Sequence, residues 1–110
     1  MHEELKATLQ TLGWVILPPD RWKDHGTDWT AVKPTKGLPE CQCNNRSPQL
    51  FLKPWCIEMH GGQHGSIAVS ICGESPKGIL MDLKAYSLKT IEDVELACPQ
   101  LIAAWTAAAQ

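Results

Sequence analysis

The chain has 110 residues and a formal charge of −2, from 10 Lys and Arg against 12 Asp and Glu. That length suits one compact domain and is short for two, and a near-neutral balance argues against holding nucleic acid by bulk electrostatics. Apolar residues make up 44% of the chain and include 5 Trp, so a core can form, but a modest one with a narrow margin of stability.

The N-terminus reads Met1-His2-Glu3-Glu4-Leu5-Lys6, with no basic segment leading into an apolar stretch. A secretory signal is therefore not expected, and a cytoplasmic protein is. No apolar run approaches the roughly 18 residues of a membrane-spanning helix; the longest, 101–109, is mostly Ala and is broken by Thr106. The cysteines Cys41, Cys43, Cys56, Cys72 and Cys98 are odd in number, and reduced thiols are expected.

The first element is a helix. Glu3 and Glu4 suit the positive end of its dipole, and Leu5, Leu9 and Leu12 form one apolar stripe. Gly13 follows as a left-handed cap, after which Trp14 can fold back on the last turn. Trp14 to Leu17 has strand composition and stops at Pro18-Pro19, since neither proline can donate to a ladder. Asp28 to Lys33 reads as a second strand, with Trp29 and Ala31 on one face and Thr30 and Val32 on the other. Residues 34–48 hold Pro34, Gly37, Pro39, Asn44, Asn45 and Pro48 and form a long loop.

Gln49 to Met59 has strand composition, but Pro54 inside it predicts an edge strand or a split at a bulge. His60 to Gly65 is a Gly-rich turn. Ser66 to Gly73 then alternates, placing Ile67, Val69 and Ile71 opposite Ser66, Ala68, Ser70 and Cys72. After a turn at 74–78, Ile79, Met81, Leu83 and Ala85 point inward while Asp82, Lys84 and Tyr86 point outward. Thr90 followed by Asp93 predicts a capped helix whose stripe is Ile91, Val94, Cys98, Leu101, Ile102 and Trp105. Pro99 lies within that stripe, and the unbroken phase favours a kinked helix over two separate ones.

Two amphipathic helices and a sheet with one apolar face specify an α+β fold of two layers. The sheet is an antiparallel meander of about four to five strands, and both terminal helices pack on one face. The other face, carrying Ser70, Asp82, Lys84 and Tyr86, meets water or a partner.

Several constellations could carry chemistry. Cys41, Cys43, Cys56 and His60, with His64 nearby, supply the ligand types zinc takes in a tetrahedral site. Their spacing is poor: a single residue separates Cys41 from Cys43, and the histidines flank a turn and not a helix. The plain alternative is loop thiols and surface histidines. A catalytic cysteine needs a base in contact, and nothing in the spacing brings Cys43 or Cys56 to a histidine with an orienting third group. Cys72 and Cys98 read as small core residues. The turn at 60–65 lacks the Lys and Ser or Thr of a phosphate loop and reads as a hairpin connection. Glu58, Glu74 and Asp82 lie near the meander without any two being brought together for acid–base work.

The stretch Arg21-Trp22-Lys23 offers an aromatic between two cations, an arrangement that can anchor an interface, and Trp55 is a similar surface candidate. Trp29 reads as core. The expected function is a small non-enzymatic protein-binding module that covers a site on a larger partner protein, in the manner of phage- or mobile-element-encoded inhibitors. Its expected binding residues are Arg21, Trp22, Lys23, Trp55, Lys84 and Tyr86. The alternatives are a zinc-stabilised binding module using Cys41, Cys43, Cys56 and His60, and a small thiol-dependent enzyme. No cofactor besides that zinc is implied. Neither nucleic acid nor membrane is expected as a partner, and the chain is expected as a monomer or a homodimer.

Overall fold

The computed structural model describes residues 3–18, 29–42, 46–54 and 67–109. The elements in chain order are helix α1 (Glu3–Thr11), strands β1 (Val15–Leu17), β2 (Thr30–Pro34), β3 (Gln49–Pro54), β4 (Ile67–Glu74) and β5 (Leu80–Leu88), and helix α2 (Ile91–Ala108). The strands form one antiparallel sheet in sequential order, from β1 at one edge to β5 at the other. This is the expected α+β meander with a helix at each end.

Helix α1 begins with Glu3 and Glu4 in its first turn, where the unpaired N–H groups favour negative charge. It ends at Gly13, whose φ of 97° is the left-handed conformation that glycine adopts without strain. The Gly13 N–H donates to the Gln10 carbonyl at 3.1 Å and the Trp14 N–H donates to the Leu9 carbonyl at 2.9 Å. That pair of bonds is the Schellman motif, and it brings Trp14 back over Leu9. Both side chains are buried in the same cluster. Lys6 holds its ammonium 5.5 Å from the centre of the Trp29 ring, a cation–π contact that ties α1 to the residue leading into β2.

Helix α2 has a reciprocal cap. The Asp93 N–H donates to the Thr90 hydroxyl at 3.1 Å, and the Asp93 carboxylate accepts from the N–H groups of Thr90 and Lys89. The backbone bonds from Lys89 and then Thr90 hold the Asp93 carboxyl below the usual aspartate range. A depressed folded pKa means that this contribution is complete above the ordinary value and is lost as pH falls through the folded one. Replacing Thr90→Ala removes one half of the box. We expect a loss of about 1 kcal/mol, read as a drop in Tm of roughly 4–8 °C. The helix continues through Pro99 as one element, so the alternative of two separate helices is not realised.

The sheet has two distinct faces. On one lie Ala31, Leu50, Leu52, Ile67, Val69 and Ile71, all buried. Leu9 and Trp14 at one end of the chain and Val94, Leu101 and Trp105 at the other complete the same cluster, so both helices cover this face. Met81, Leu83 and Ala85 of β5 pack against its margin. Trp29 is buried as expected. Each large aliphatic group withdrawn from water here contributes on the order of 1.5–3 kcal/mol.

The long loop after β2 is tied to both layers. The Trp105 indole N–H donates to the Pro39 carbonyl at 2.8 Å. The Cys41 N–H donates to the Glu74 carbonyl at 3.1 Å, and the Glu74 N–H donates to the Arg46 carbonyl at 2.8 Å. The loop thus runs along the end of β4 as a fastened strap.

Three expectations need correction. β3 is the central strand of the sheet and not an edge, with β2 on one side and β4 on the other. Pro54 pairs with Ile67, where its missing N–H costs at most one bond of the ladder; the part of the expected strand at 55–59 lies outside the described residues. Ile79 is not part of the buried face; it is 59% exposed. It belongs to the hairpin connection, where its carbonyl accepts from the Ser75 N–H at 2.9 Å. The cysteines are not all reduced: Cys41 is disulfide-bonded, while Cys72 and Cys98 are free. The bond stems from proximity in space, which the spacing of an odd set of cysteines does not reveal.

Candidate binding face

The face of the sheet opposite the helices is built by the residues between the buried ones. The register aligns Val15 of β1, Val32 of β2, Phe51 of β3, Ser70 of β4 and Lys84 of β5 in one row across the sheet. Beside it, Lys53 stands opposite Ala68, and Cys72 opposite Asp82. Because side chains alternate along a strand, all of these share the face away from α1 and α2. No described element lies across it.

A shallow groove of about 400 Å³ runs over this face between β3 and β5. Its floor is Phe51, Ala68, Ser70 and Cys72, and its rim carries Lys53, Asp82, Lys84 and Tyr86. Tyr86 is 60% exposed, and Val15 at the far end of the row is 55% exposed. The Lys84 ammonium lies 3.5 Å from the Asp82 carboxylate, a half-exposed ion pair along one strand. Such pairs fix side chains more than they stabilise.

Of the expected binding residues, Lys84 and Tyr86 are brought together here. Arg21, Trp22, Lys23 and Trp55 lie outside the described residues. Phe51, Lys53 and Cys72 were not among the expected site residues. The signal for Phe51 and Lys53 was their alternation with the buried Leu50 and Leu52, which the proline at position 54 obscured.

The thiols in reach are not activated. Burial pushes the Cys72 pKa up, and the neighbouring Asp82 charge pushes it further. Cys72 is half-buried on the open face and not in the core. Cys98 is also half-buried, and its pKa is raised chiefly by burial. It lines a second groove of about 360 Å³ between α2 and β2, floored by Trp14 and Leu50. A raised pKa keeps both sulfurs protonated at neutral pH, the opposite of what a nucleophile needs.

Among the described residues no group of three or more His, Cys, Asp or Glu could hold a metal ion. Of the candidate zinc ligands, Cys43, Cys56, His60 and His64 lie outside the described residues. Cys41 is disulfide-bonded, and a sulfur in that state is not the thiolate zinc binds. No helix among the described residues is long and apolar enough to cross a membrane. Comparison with known proteins finds no family model, no curated protein and no solved structure that matches this chain.

Proposed function

We propose that this chain is a non-enzymatic protein-binding module that covers a site on a larger partner protein with its open sheet face. One observation carries the reading: a continuous row from Val15 through Phe51 to Lys84 lies on the face that neither helix covers, with two aromatics and two lysines around a groove. Interfaces combine an apolar centre with a polar rim, and their binding energy concentrates in aromatic anchors seated in such depressions. Tyr86 and Phe51 supply the aromatics, while Lys53, Asp82 and Lys84 supply the polar border. The protonated state of Cys72 fits a surface that binds better than one that reacts.

The test places a benzophenone amino acid at Phe51, in the middle of the face, and at Leu96 on α2 as a control. Leu96 is 65% exposed, so the control is reachable. After illumination in the native host, Phe51 is expected to yield an adduct with a second, larger protein, and Leu96 none. Capture from Leu96 with none from Phe51 would contradict the proposal.

A further inference from the structure

The two edges of the sheet are unequal. β1 is a 3-residue edge, too short to invite much pairing. β5 is a 9-residue edge whose outer side meets no described backbone group. The usual protections of a long edge are a proline, a mid-strand bulge or repeated like charges. Here the register shift faces Ile67–Val69 and the left-handed Ser87 lies near the end of the strand, with φ 61°. The extra residue of that shift lies on β5 between Ala85 and Leu88, so the stretch from Leu80 to Ala85 is left regular and carries one charge of each sign.

We propose that two copies of this chain pair antiparallel through β5 about a two-fold axis at Leu83, joining their sheets edge to edge. The order of residues selects this register. With the axis at Leu83, Asp82 of each copy stands opposite Lys84 of the other, and both lie on the open face. Leu80 of each copy stands opposite Tyr86 of the other, covering two apolar side chains that are 51% and 60% exposed in the single chain. On the helix side, Leu83 meets Leu83 and Met81 meets Ala85, all of which already border the core. Moving the axis to Asp82 or Lys84 sets like charges opposite each other, which disfavours the pair. Placing it between residues sends the two open faces to opposite sides of the sheet. The ion pair that each chain holds between Asp82 and Lys84 becomes a four-charge cluster of alternating sign across the axis. The pairing leaves the Phe51 groove open and makes the two binding faces continuous.

Sedimentation of the full chain from about 1 µM to about 1 mM tests this, since a strand-to-strand contact is at the small end of interface sizes and its Kd is expected on the order of 10 µM. Asp82→Lys and Lys84→Asp are each expected to weaken dimerisation at least about tenfold, because each makes the cluster all of one sign. An equimolar mixture of the two variants is expected to recover the dimer, since opposite charges then face each other only in the mixed pair. A wild-type chain that stays monomeric throughout overturns the proposal, as does a mixture that does not recover. If either variant fails to fold, the wild type decides alone. In a mixed-isotope sample, Leu80 and Tyr86 should show an intermolecular contact; along one strand they are six positions and about 20 Å apart. Its absence where dimer is populated overturns the register.

Discussion

Trp105→Ala is expected to bring the domain to the edge of unfolding at room temperature. The indole is fully buried at the centre of the face that α2 presents to the sheet. Its N–H also holds the Pro39 carbonyl at 2.8 Å, so one side chain links the helix, the core and the strap. Removing a buried tryptophan costs about 3–5 kcal/mol, against a total near 5–15 kcal/mol for a domain. Urea unfolding should show the midpoint falling by half or more, with Tm lower by about 15–30 °C. Trp105→Phe separates the two roles. It keeps most of the buried ring and leaves the Pro39 carbonyl without its donor, so a smaller loss of about 1–3 kcal/mol is expected. A Trp105→Ala variant within a few degrees of the wild type would mean that α2 is not docked as described.

Gly73→Ala is the second change with a large expected effect, though it adds only a methyl group. Gly73 lies on the buried side of β4, where a Cβ would fall 2.5 Å from Pro48 Cα and 2.7 Å from Pro48 N. It would also sit 3.0 Å from the Arg46 carbonyl oxygen. These are backbone atoms, so no rotamer change relieves the clash. The strap cannot simply lift, because Glu74 is hydrogen-bonded to both Cys41 and Arg46, just ahead of Pro48 in the chain. Relief requires giving up those bonds or displacing β4. Overpacking of this kind costs about 1–3 kcal/mol, occasionally more, and the immovable neighbour puts Gly73→Ala at about 3 kcal/mol. Gly73→Val should be worse and should leave little folded protein. Chemical denaturation measures both; an alanine variant as stable as the wild type would show that the strap does not lie against β4.

What was legible in the sequence was local. Gly13 as a cap and Thr90 with Asp93 as a capping box are decided within a turn of helix, by backbone groups a few residues apart. The alternation of Ile67, Val69 and Ile71 reports the buried face directly, since a strand has only two sides. Asp82, Lys84 and Tyr86 fall on the open face for the same reason. The misreadings turn on distance or on where an element stops. Pro54 suggests an edge, but the place of β3 in the sheet is set by its pairing with β2 and β4, which a single proline does not report. Ile79 continues the parity of Met81 and Leu83, but the hairpin holds it before the strand begins. The constraint on Gly73 depends on a strap distant in sequence from β4, and composition carries no trace of it. Phe51 and Lys53 were readable in principle from Leu50 and Leu52, once the strand was known to be central.

The sheet has one face dry beneath the helices and the other open. Nuclear magnetic resonance with a soluble paramagnetic agent measures this side chain by side chain. Strong broadening of the Val15 and Leu17 signals is expected, while the methyl groups of Leu52, Val69 and Ile71 stay sharp. Broadening of Leu52, Val69 and Ile71 with protection of Val15 and Leu17 would contradict it.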